Sequence, residues 1–290
     1  MSFLTLLVST GLVSGAAYGL IAMGFALIYK STGVVNFAQG ELVMLTAYLS
    51  YSLASVLDLS FFPLLLATAA VAAAVGLLIE RIVIRPMLGE PAFSIVMATV
   101  GLAVILRGVV VLVWGSEPLN FPVGPATTVV KFAGAPFYPA QLYLIGALAV
   151  LTLAAWLFLR FSRLGVAMRA VASNETAALL AGVSVERIHA VAWMLSAALA
   201  SVAGVLFAIN YKLAPDLWFQ GLKSFPAVIL GGLDSVVGAS LGGLVIGVVE
   251  SLAQGYLGEG LREIAGFVII IVVLMVRPFG LFGSRDIDRV

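Results

Sequence analysis

The sequence predicts an all-α membrane protein, a polytopic bundle of about eight transmembrane helices, with eight to ten as the range. Hydrophobic residues make up 62% and charged residues 10% of the 290 residues. Soluble domains hold about 45–50% apolar and about 25% charged residues. Charge-free apolar blocks recur at about the 20-residue length that crosses a bilayer as a helix. The sequence does not show the short segments of alternating polarity that are typical of a β-barrel. Residues 1–290 are therefore expected to form a single transmembrane domain.

The first half of the chain predicts four spans. The first lacks the basic region of a signal peptide, which indicates a retained helix. Arg107 lies inside the fourth span, where it either extends to the outer interface or pairs with an intramembrane acid such as Glu250. The four spans are Met1–Tyr29, Leu42–Leu57, Leu59–Ile79 and Phe93–Trp114.

The second half predicts four more full spans and two long loops. The proline-rich residues 115–139 indicate an irregular external loop, and residues 160–187 form the longest hydrophilic stretch. His189 begins a span and is expected at the membrane border. The spans are Gln141–Leu159, His189–Tyr211, Val236–Gln254 and the short Ile264–Val276.

Basic residues orient the bundle, since loops rich in Lys and Arg stay in the cytoplasm. Cytoplasmic placement is expected for Arg81 and Arg85, for the loop 160–187, and for the C-terminal tail with Arg285 and Arg289. The N-terminus is then outside. Because eight full spans would leave both termini on the same side of the membrane, the short segment Phe225–Gly232 must also carry the chain inward.

The segment "STGVVNFAQGELVML", residues 31–45, interrupts the apolar chain with polar groups. Asn36, Gln39 and Glu41 lie close to Gly33 and Gly40, which permit a break in the helix. Two interpretations fit this pattern. One is a polar turn between helices at the membrane border, and the other is a discontinuous segment at 31–41 that lines a solute pathway.

A second break is predicted at residues 225–235. A short apolar half-helix ends in Gly231 and Gly232, and Asp234 precedes a new glycine-rich helix. Interrupted apolar segments in both halves of a chain indicate a transport site near the middle of the membrane. The candidate pathway residues are therefore Asn36, Gln39, Glu41, Gly231 and Gly232.

The loop 160–187 predicts a short helix outside the membrane. Ser173 or Asn174 can cap it, it covers Glu175–Ala181, and Gly182 can end it. Its apolar residues have no core of their own, so the helix either lies on the membrane or docks on a partner protein.

The residues predict a transport protein rather than an enzyme. The chain contains no catalytic set and no Gly-x-x-x-x-Gly-Lys-Ser/Thr motif, so ATP is not bound through a P-loop of its own. It has no cysteine and only one histidine, which argues against a metal site or a bound cofactor. The net charge of +1 gives no reason to expect a nucleic-acid partner. The residues alone are also compatible with a secondary transporter or channel that acts without partner chains.

Three motifs in order, "VVNFAQGELVMLTAY", "GVAMRAVASNETAALLAGVSVERI" and "FPAVILGGLDSVVGASLGGLVIGVVE", resemble one family across nearly the whole chain. It is the LivH-type membrane permease of branched-chain amino acid ABC importers, a family that also includes urea and short-chain amide permeases. The resemblance implies an inner-membrane subunit that translocates branched-chain amino acids. A urea or short-amide permease is the alternative.

The resemblance also implies partners in the bilayer and on both of its sides. They are a second permease subunit, often non-identical, two cytoplasmic ATP-binding subunits, and a periplasmic or lipid-anchored solute-binding protein. Residues 170–182 correspond to the coupling helix that docks on the ATPase. The residues expected to serve this coupling are Arg169, Asn174, Glu175, Leu179, Leu180 and Gly182.

Overall fold

The protein is an all-α membrane bundle, as predicted. The computed structural model describes residues 3–125, 128–132 and 135–283. Within these ranges seven helical segments are long and apolar enough to cross a membrane. They are α1 (Phe3–Thr32), α2 (Gln39–Leu57), α3 (Phe61–Ile79, continued by a π turn and a 3-10 turn to Met87), α4 (Ala92–Trp114), α5 (Pro139–Phe161), α8 (Val185–Asn210) and α10 (Val236–Leu257).

Shorter elements complete the bundle. The 18-residue helix α11 (Glu259–Val276) corresponds to the predicted final span. Two helices, α6 (Arg163–Ser173) and α7 (Glu175–Leu180), lie in the predicted hydrophilic loop, and α9 (Phe219–Gly231) is the predicted half-helix. A small antiparallel hairpin, β1 (Val130–Phe132) and β2 (Ala135–Phe137), lies in the loop before α5.

Helix α1 forms the centre of the bundle because its small residues admit neighbouring backbones. It packs most extensively on α10 and also contacts α8, α9 and α5. A Cβ built on Gly15 would lie 2.8 Å from the Gly243 carbonyl oxygen, and one on Gly11 would lie 2.6 Å from the Val248 Cα. Contact this close requires glycine, as expected where dispersion rather than the hydrophobic effect holds helices together.

Helices α4 and α5 present apolar side chains outward. Val104, Leu112 and Val150 are each more than half exposed. In a soluble protein such a surface indicates an interaction site, whereas on helices of membrane-spanning length it faces lipid tails. The polar side chains discussed below lie on the opposite, inward side of the helices.

Two details differ from the sequence-based expectation. Helix α9 begins at Phe219, six residues before the predicted half-helix, and Pro226 lies in its interior rather than in its first turn. The C-terminal tail with Arg285 and Arg289 lies outside the described residues.

Candidate functional site

The break between α1 and α2 is a buried turn. Gly33 has a φ of +68°, which an L side chain rarely adopts, and ends α1. The Oδ1 atom of Asn36 accepts a hydrogen bond from the Ala38 backbone N–H at 3.0 Å, which sets the first turn of α2. Asn36, Gln39 and Glu41 are all almost completely buried, so protein rather than water surrounds them.

Gln39 lies in the interior of the membrane-spanning region. The Ser196 hydroxyl donates hydrogen bonds to Gln39 Oε1 at 3.0 Å and to the Gly24 carbonyl at 3.1 Å. Gly24 precedes the end of α1 by eight residues, about 12 Å at 1.5 Å per residue. Ser196 follows the start of α8 by eleven residues, about 16 Å. The start of α2 therefore lies beside the interior of α1 and α8 rather than beside their ends.

Glu41 has a partner that the sequence did not identify. Arg107 on α4 donates a hydrogen bond from Nη2 to Glu41 Oε1 at 2.5 Å, and its guanidinium lies 3.6 Å from the centre of the Trp218 ring. The expected pair between Arg107 and Glu250 is wrong, whereas a position near the outer interface stays a prediction, since the Arg107 side chain is 39% exposed. The pair with Glu41 forms because the early start of α2 brings the Glu41 carboxylate to the level of Arg107.

Glu250 belongs to a different cluster. The Tyr18 hydroxyl donates a hydrogen bond to Glu250 Oε2 at 3.0 Å, and the Arg262 Nε atom lies 3.9 Å from the same oxygen. These groups join α1, α10 and α11. Glu41 in the first half of the chain and Glu250 in the second are thus both almost completely buried with an arginine beside them, as expected for charges inside a membrane.

The second break brings backbones together. Gly232 has a φ of +105°, and a Cβ on Gly231 would collide with the backbone of Gly238. The Lys30 Nζ donates a hydrogen bond to the Asp234 carbonyl at 2.7 Å, which ties the end of α1 to the start of α10. The second break thus lies beside the end of α1. Asn36 and Gln39 of the first break lie on the segment that directly follows α1.

The two broken segments meet through contacts that sequence reasoning missed. The rings of Phe37 and Phe225 are 6.1 Å apart, and a Cβ on Gly221 would lie within van der Waals overlap of the Gly40 backbone. The pairing of Gly40 with Gly221 lets the start of α2 cross the start of α9. The sequence indicated this contact only through two glycines in apolar segments. The residues next to a glycine do not specify which helix packs against it.

Helix α7 forms as the sequence predicted. The Asn174 Oδ1 accepts a hydrogen bond from the Ala177 N–H at 2.8 Å, and Gly182 has a φ of +85°. Leu179 is 53% and Leu180 86% exposed, outside any span of the described chain. Helix α6, which precedes α7 and was not predicted, carries Arg169.

Arg169 lies apart from the exposed leucines. Its Nη2 donates to the Arg160 carbonyl at 3.4 Å, a weak contact. Together with Lys30 and Asp234 it lines a cavity of about 480 Å³ at the same membrane face. The predicted coupling residues therefore form two groups. Five of them belong to α7 and its ends, where the apolar side chains are exposed, and Arg169 on α6 lies closer to the bundle.

Comparison with known proteins gives consistent results. Residues 7–277 match the family model described as the branched-chain amino acid transport system permease component. The permease LivH of Salmonella typhimurium, named for high-affinity branched-chain amino acid transport, is 32% identical over 230 residues, covering 76% of this chain and 73% of that protein. BraD of Pseudomonas aeruginosa, of the same named function, is 32% identical over 230 residues, covering 76% and 74%.

More distant proteins share part of the sequence or the fold. The ribose import permease RbsC of Escherichia coli K12 is 28% identical over 200 residues, covering 67% of this chain and 59% of that protein. A solved structure of PsaBC from Streptococcus pneumoniae in complex with Fab is similar in fold, with a TM-score of 0.50 and 12% identity over 93% of this chain and 91% of that chain.

Proposed function

This chain belongs to the family of permease components of branched-chain amino acid transport systems, and we propose that it is the membrane-spanning subunit through which such amino acids cross the membrane. The transport is an ATP-driven import, with ATP hydrolysed by partner chains rather than by this one. The proposal follows the relatives named for this solute class.

The observation that carries the proposal is helix α7. Helix α7 has six residues, is capped at both ends and exposes Leu179 and Leu180, so its apolar surface has no partner within the described chain. An ATPase that converts ATP hydrolysis into movement of the permease needs a surface of this kind to bind. Asn174 and Gly182 fix the ends of the helix, while Glu175 and Arg169 offer charges to the same partner.

The motion of α7 reaches the membrane interior through α8. Only residues 181–184 separate the two helices, and Ser196 on α8 bonds Gln39. A displacement of α7 by the ATPase therefore acts on the start of α2 through one rigid helix. This arrangement supports a pathway beside Asn36, Gln39 and Glu41 that opens to alternate sides as α8 moves.

The other candidate pathway residues act through backbone shape. Gly231 and Gly232 allow the end of α9 to approach α10, so that a half-helix can end within the bundle. Through Phe225 this half-helix contacts the first break at Phe37. In the proposal the two segments move together during transport, and discontinuous helices of this kind are typical of transport sites.

The membrane face that carries α6 and α7 is the cytoplasmic face of a bacterial-type inner membrane in this proposal. Arg81, Arg85, Arg160 and Arg163 are at this face, in agreement with the positive-inside rule. The N-terminus is then external and the C-terminus cytoplasmic. A second permease subunit lies beside this one, two ATP-binding subunits bind below, and an external binding protein delivers the solute.

Uptake by the complete importer in lipid vesicles tests the proposal. The vesicles contain this chain with its partner permease, the ATP-binding subunits enclosed with ATP, and the binding protein outside. We expect uptake of radiolabelled L-leucine that unlabelled isoleucine and valine compete for. Urea, acetamide and D-ribose serve as matched competitors and should leave uptake unchanged.

Two results would contradict the proposal. Stronger competition by urea or acetamide than by isoleucine would assign the chain to the amide-transporting alternative. Uptake by this chain alone, driven by an ion gradient and independent of ATP, would indicate a secondary transporter or a channel.

A further inference from the structure

A cavity of about 480 Å³ lies at the membrane face that carries α6 and α7. It is bounded by the ends of α1 and α5, by α6 and by the start of α10, so it lies where the spans leave the hydrocarbon and meet the lipid headgroups. Its volume is within the roughly 300–1,000 Å³ of pockets for drug-sized ligands. The charged side chains that line it are Lys30, Arg160, Arg169 and Asp234.

Three of these four side chains are positive. Lys30 is half-buried and donates a hydrogen bond from its ammonium group to the Asp234 carbonyl at 2.7 Å. Arg160 and Arg169 are exposed, so a ligand in the cavity can reach both guanidinium groups. The positive charges of Lys30 and Arg169 repel each other, and the carboxylate of Asp234 offsets only part of the positive charge. An anion bound between these cations removes the repulsion, which indicates a site for a negatively charged ligand.

The location of the cavity identifies the anion. At this level of a membrane the abundant anions are the phosphates of lipid headgroups, and basic pockets between membrane-spanning helices bind such headgroups. Arginine presents a planar fork of N–H donors that matches phosphate oxygens, and lysine adds a compact positive charge. The cavity therefore has the charge, the donors and the position that suit a lipid phosphate.

Arg160 is held at the side of the cavity by aromatic rings. Its guanidinium carbon lies 5.2 Å from the centre of the Trp156 ring and 5.6 Å from the centre of the Phe161 ring. A cation–π contact engages the face of the guanidinium, so its N–H donors can still bind a phosphate. Tryptophan at the level of the headgroups is typical of membrane proteins.

A row of apolar side chains leads from the cavity along α5. Leu153, Leu157 and Phe161 follow one another at four-residue spacing, which places them on one side of the helix, and all three are exposed. The rings of Phe161 and Trp156 are 5.9 Å apart, and Trp156 lines the cavity. The acyl chain of a lipid can lie on this row while its headgroup fills the cavity, whereas a free phosphate ion gains nothing from the row.

We infer that this cavity is a binding site for the phosphate of an anionic phospholipid whose acyl chains lie along α5. The guanidinium groups of Arg160 and Arg169 and the ammonium group of Lys30 donate hydrogen bonds to the phosphate oxygens. The site adds a lipid ligand to the proposed function and does not depend on it, because lipid binding involves neither solute nor ATP.

The bound lipid connects the bundle to α7. Arg169 lies on α6, and Asn174 alone separates α6 from α7. Because a guanidinium has five N–H donors, Arg169 can bind the phosphate and still face the ATPase of the proposed function. The lipid therefore fixes α6 against the ends of α1 and α5, and with it the position of α7 at the membrane face.

Native mass spectrometry of the complete importer, stripped of lipid in detergent, tests the inference. Phosphatidylglycerol and phosphatidylcholine with the same acyl chains are added in separate titrations. We expect saturable binding of phosphatidylglycerol and weaker binding of phosphatidylcholine, because the positive choline group offsets the phosphate charge. Arg160→Gln and Arg169→Gln each remove one charge and should raise the Kd for phosphatidylglycerol about fivefold, the factor that corresponds to the attraction of one basic residue for an anionic lipid.

Arg163→Gln is the matched control. Arg163 is exposed at the same membrane face but is not among the described residues that line the cavity, so this variant should bind phosphatidylglycerol as the unaltered protein does. An unchanged Kd in Arg160→Gln and Arg169→Gln places the lipid on other surfaces of the importer and overturns the inference. A Kd raised equally in all three variants indicates non-specific attraction and also overturns it.

Competition separates a lipid headgroup from a free phosphate compound. Inorganic phosphate and sn-glycerol 3-phosphate, at the concentration of the lipid, should not displace phosphatidylglycerol. Displacement by either one assigns the cavity to a soluble phosphate compound and overturns the lipid as its ligand. An importer that takes up leucine normally but shows no saturable binding of phosphatidylglycerol overturns the inference and leaves the proposed function intact.

Discussion

Arg107 and Glu41 form an ion pair inside the membrane-spanning region, although 66 residues separate them in the chain. The Glu41 carboxylate is 3% exposed, and the Arg107 guanidinium also lies flat against Trp218. An unpaired buried charge is costly, so the Glu41 carboxylate depends on Arg107, whose own side chain is 39% exposed. The pair fixes the start of α2 against α4 and the turn that precedes α9.

The ion pair predicts a loss of stability that a second substitution restores. Arg107→Met leaves the buried carboxylate unpaired and should lower the free energy of unfolding by about 3 kcal/mol. The double variant Glu41→Gln, Arg107→Met removes both charges and should regain most of that loss. Thermal unfolding in detergent, followed through intrinsic fluorescence, measures both changes.

Arg81→Met is the matched control for this pair because Arg81 is exposed. Its unfolding temperature should remain within the error of the unaltered protein. If the double variant is no more stable than Arg107→Met alone, the ion pair is not the source of the loss and the cation–π contact with Trp218 is the remaining cause.

Much of the fold was predictable because the determinants are local. Apolar runs of spanning length predict the main helices, and Asn174 and Gly182 predict the ends of α7. The polar break at Asn36, Gln39 and Glu41 was also apparent, since polar groups stand out in an apolar chain. These features depend on residues a few positions apart.

The partners of the site were not predictable for the opposite reason. Ser196 lies 157 residues from Gln39, and nothing in either local sequence specifies the contact. The depth of Gln39 in the membrane follows from that contact and from Gly24, so depth was open as well. Glu250 was the wrong partner for Arg107, because acidity alone does not indicate which helix lies alongside.

The exposed end of α7 predicts a loss of coupling without a loss of folding. Leu180 is 86% exposed, so Leu180→Asp removes no contact within this chain. In the proposed function it places a charge in the apolar contact with the ATPase, and leucine-stimulated ATP hydrolysis should fall at least about tenfold. Hydrolysis and leucine uptake by the reconstituted importer measure the effect.

Leu180→Met preserves an apolar side chain of similar size and serves as the control. It should retain most of the stimulated hydrolysis. Full stimulation in Leu180→Asp would remove α7 from the proposed contact, while unaltered membrane insertion in both variants excludes a folding defect.

The cap of α7 gives a separate test of helix stability. Asn174→Ala removes the side-chain acceptor of the Ala177 N–H, which should destabilise the helix by about 1 kcal/mol. Asn174→Asp retains an acceptor and should preserve the helix. Hydrogen exchange at the amides of Ala177 and Ala178 should speed up several-fold in Asn174→Ala only, since Ala178 bonds the Asn174 carbonyl in the same turn. Equal exchange in the two variants would contradict a capping role.

The close glycine contacts between α1 and α10 predict that a single added methyl group destabilises the bundle. Gly243 lies against the backbone of Gly19, where an added Cβ has no space, whereas a Cβ on Gly146 of α5 meets nothing within 4 Å. Gly243→Ala should therefore destabilise the bundle by about 1–3 kcal/mol, the usual cost of overpacking. Gly146→Ala should be neutral or stabilising by up to about 1 kcal/mol, because alanine is the better helix former. Thermal unfolding of the two variants, identical in composition, compares the sites directly, and equal unfolding temperatures would refute close α1–α10 contact at Gly243.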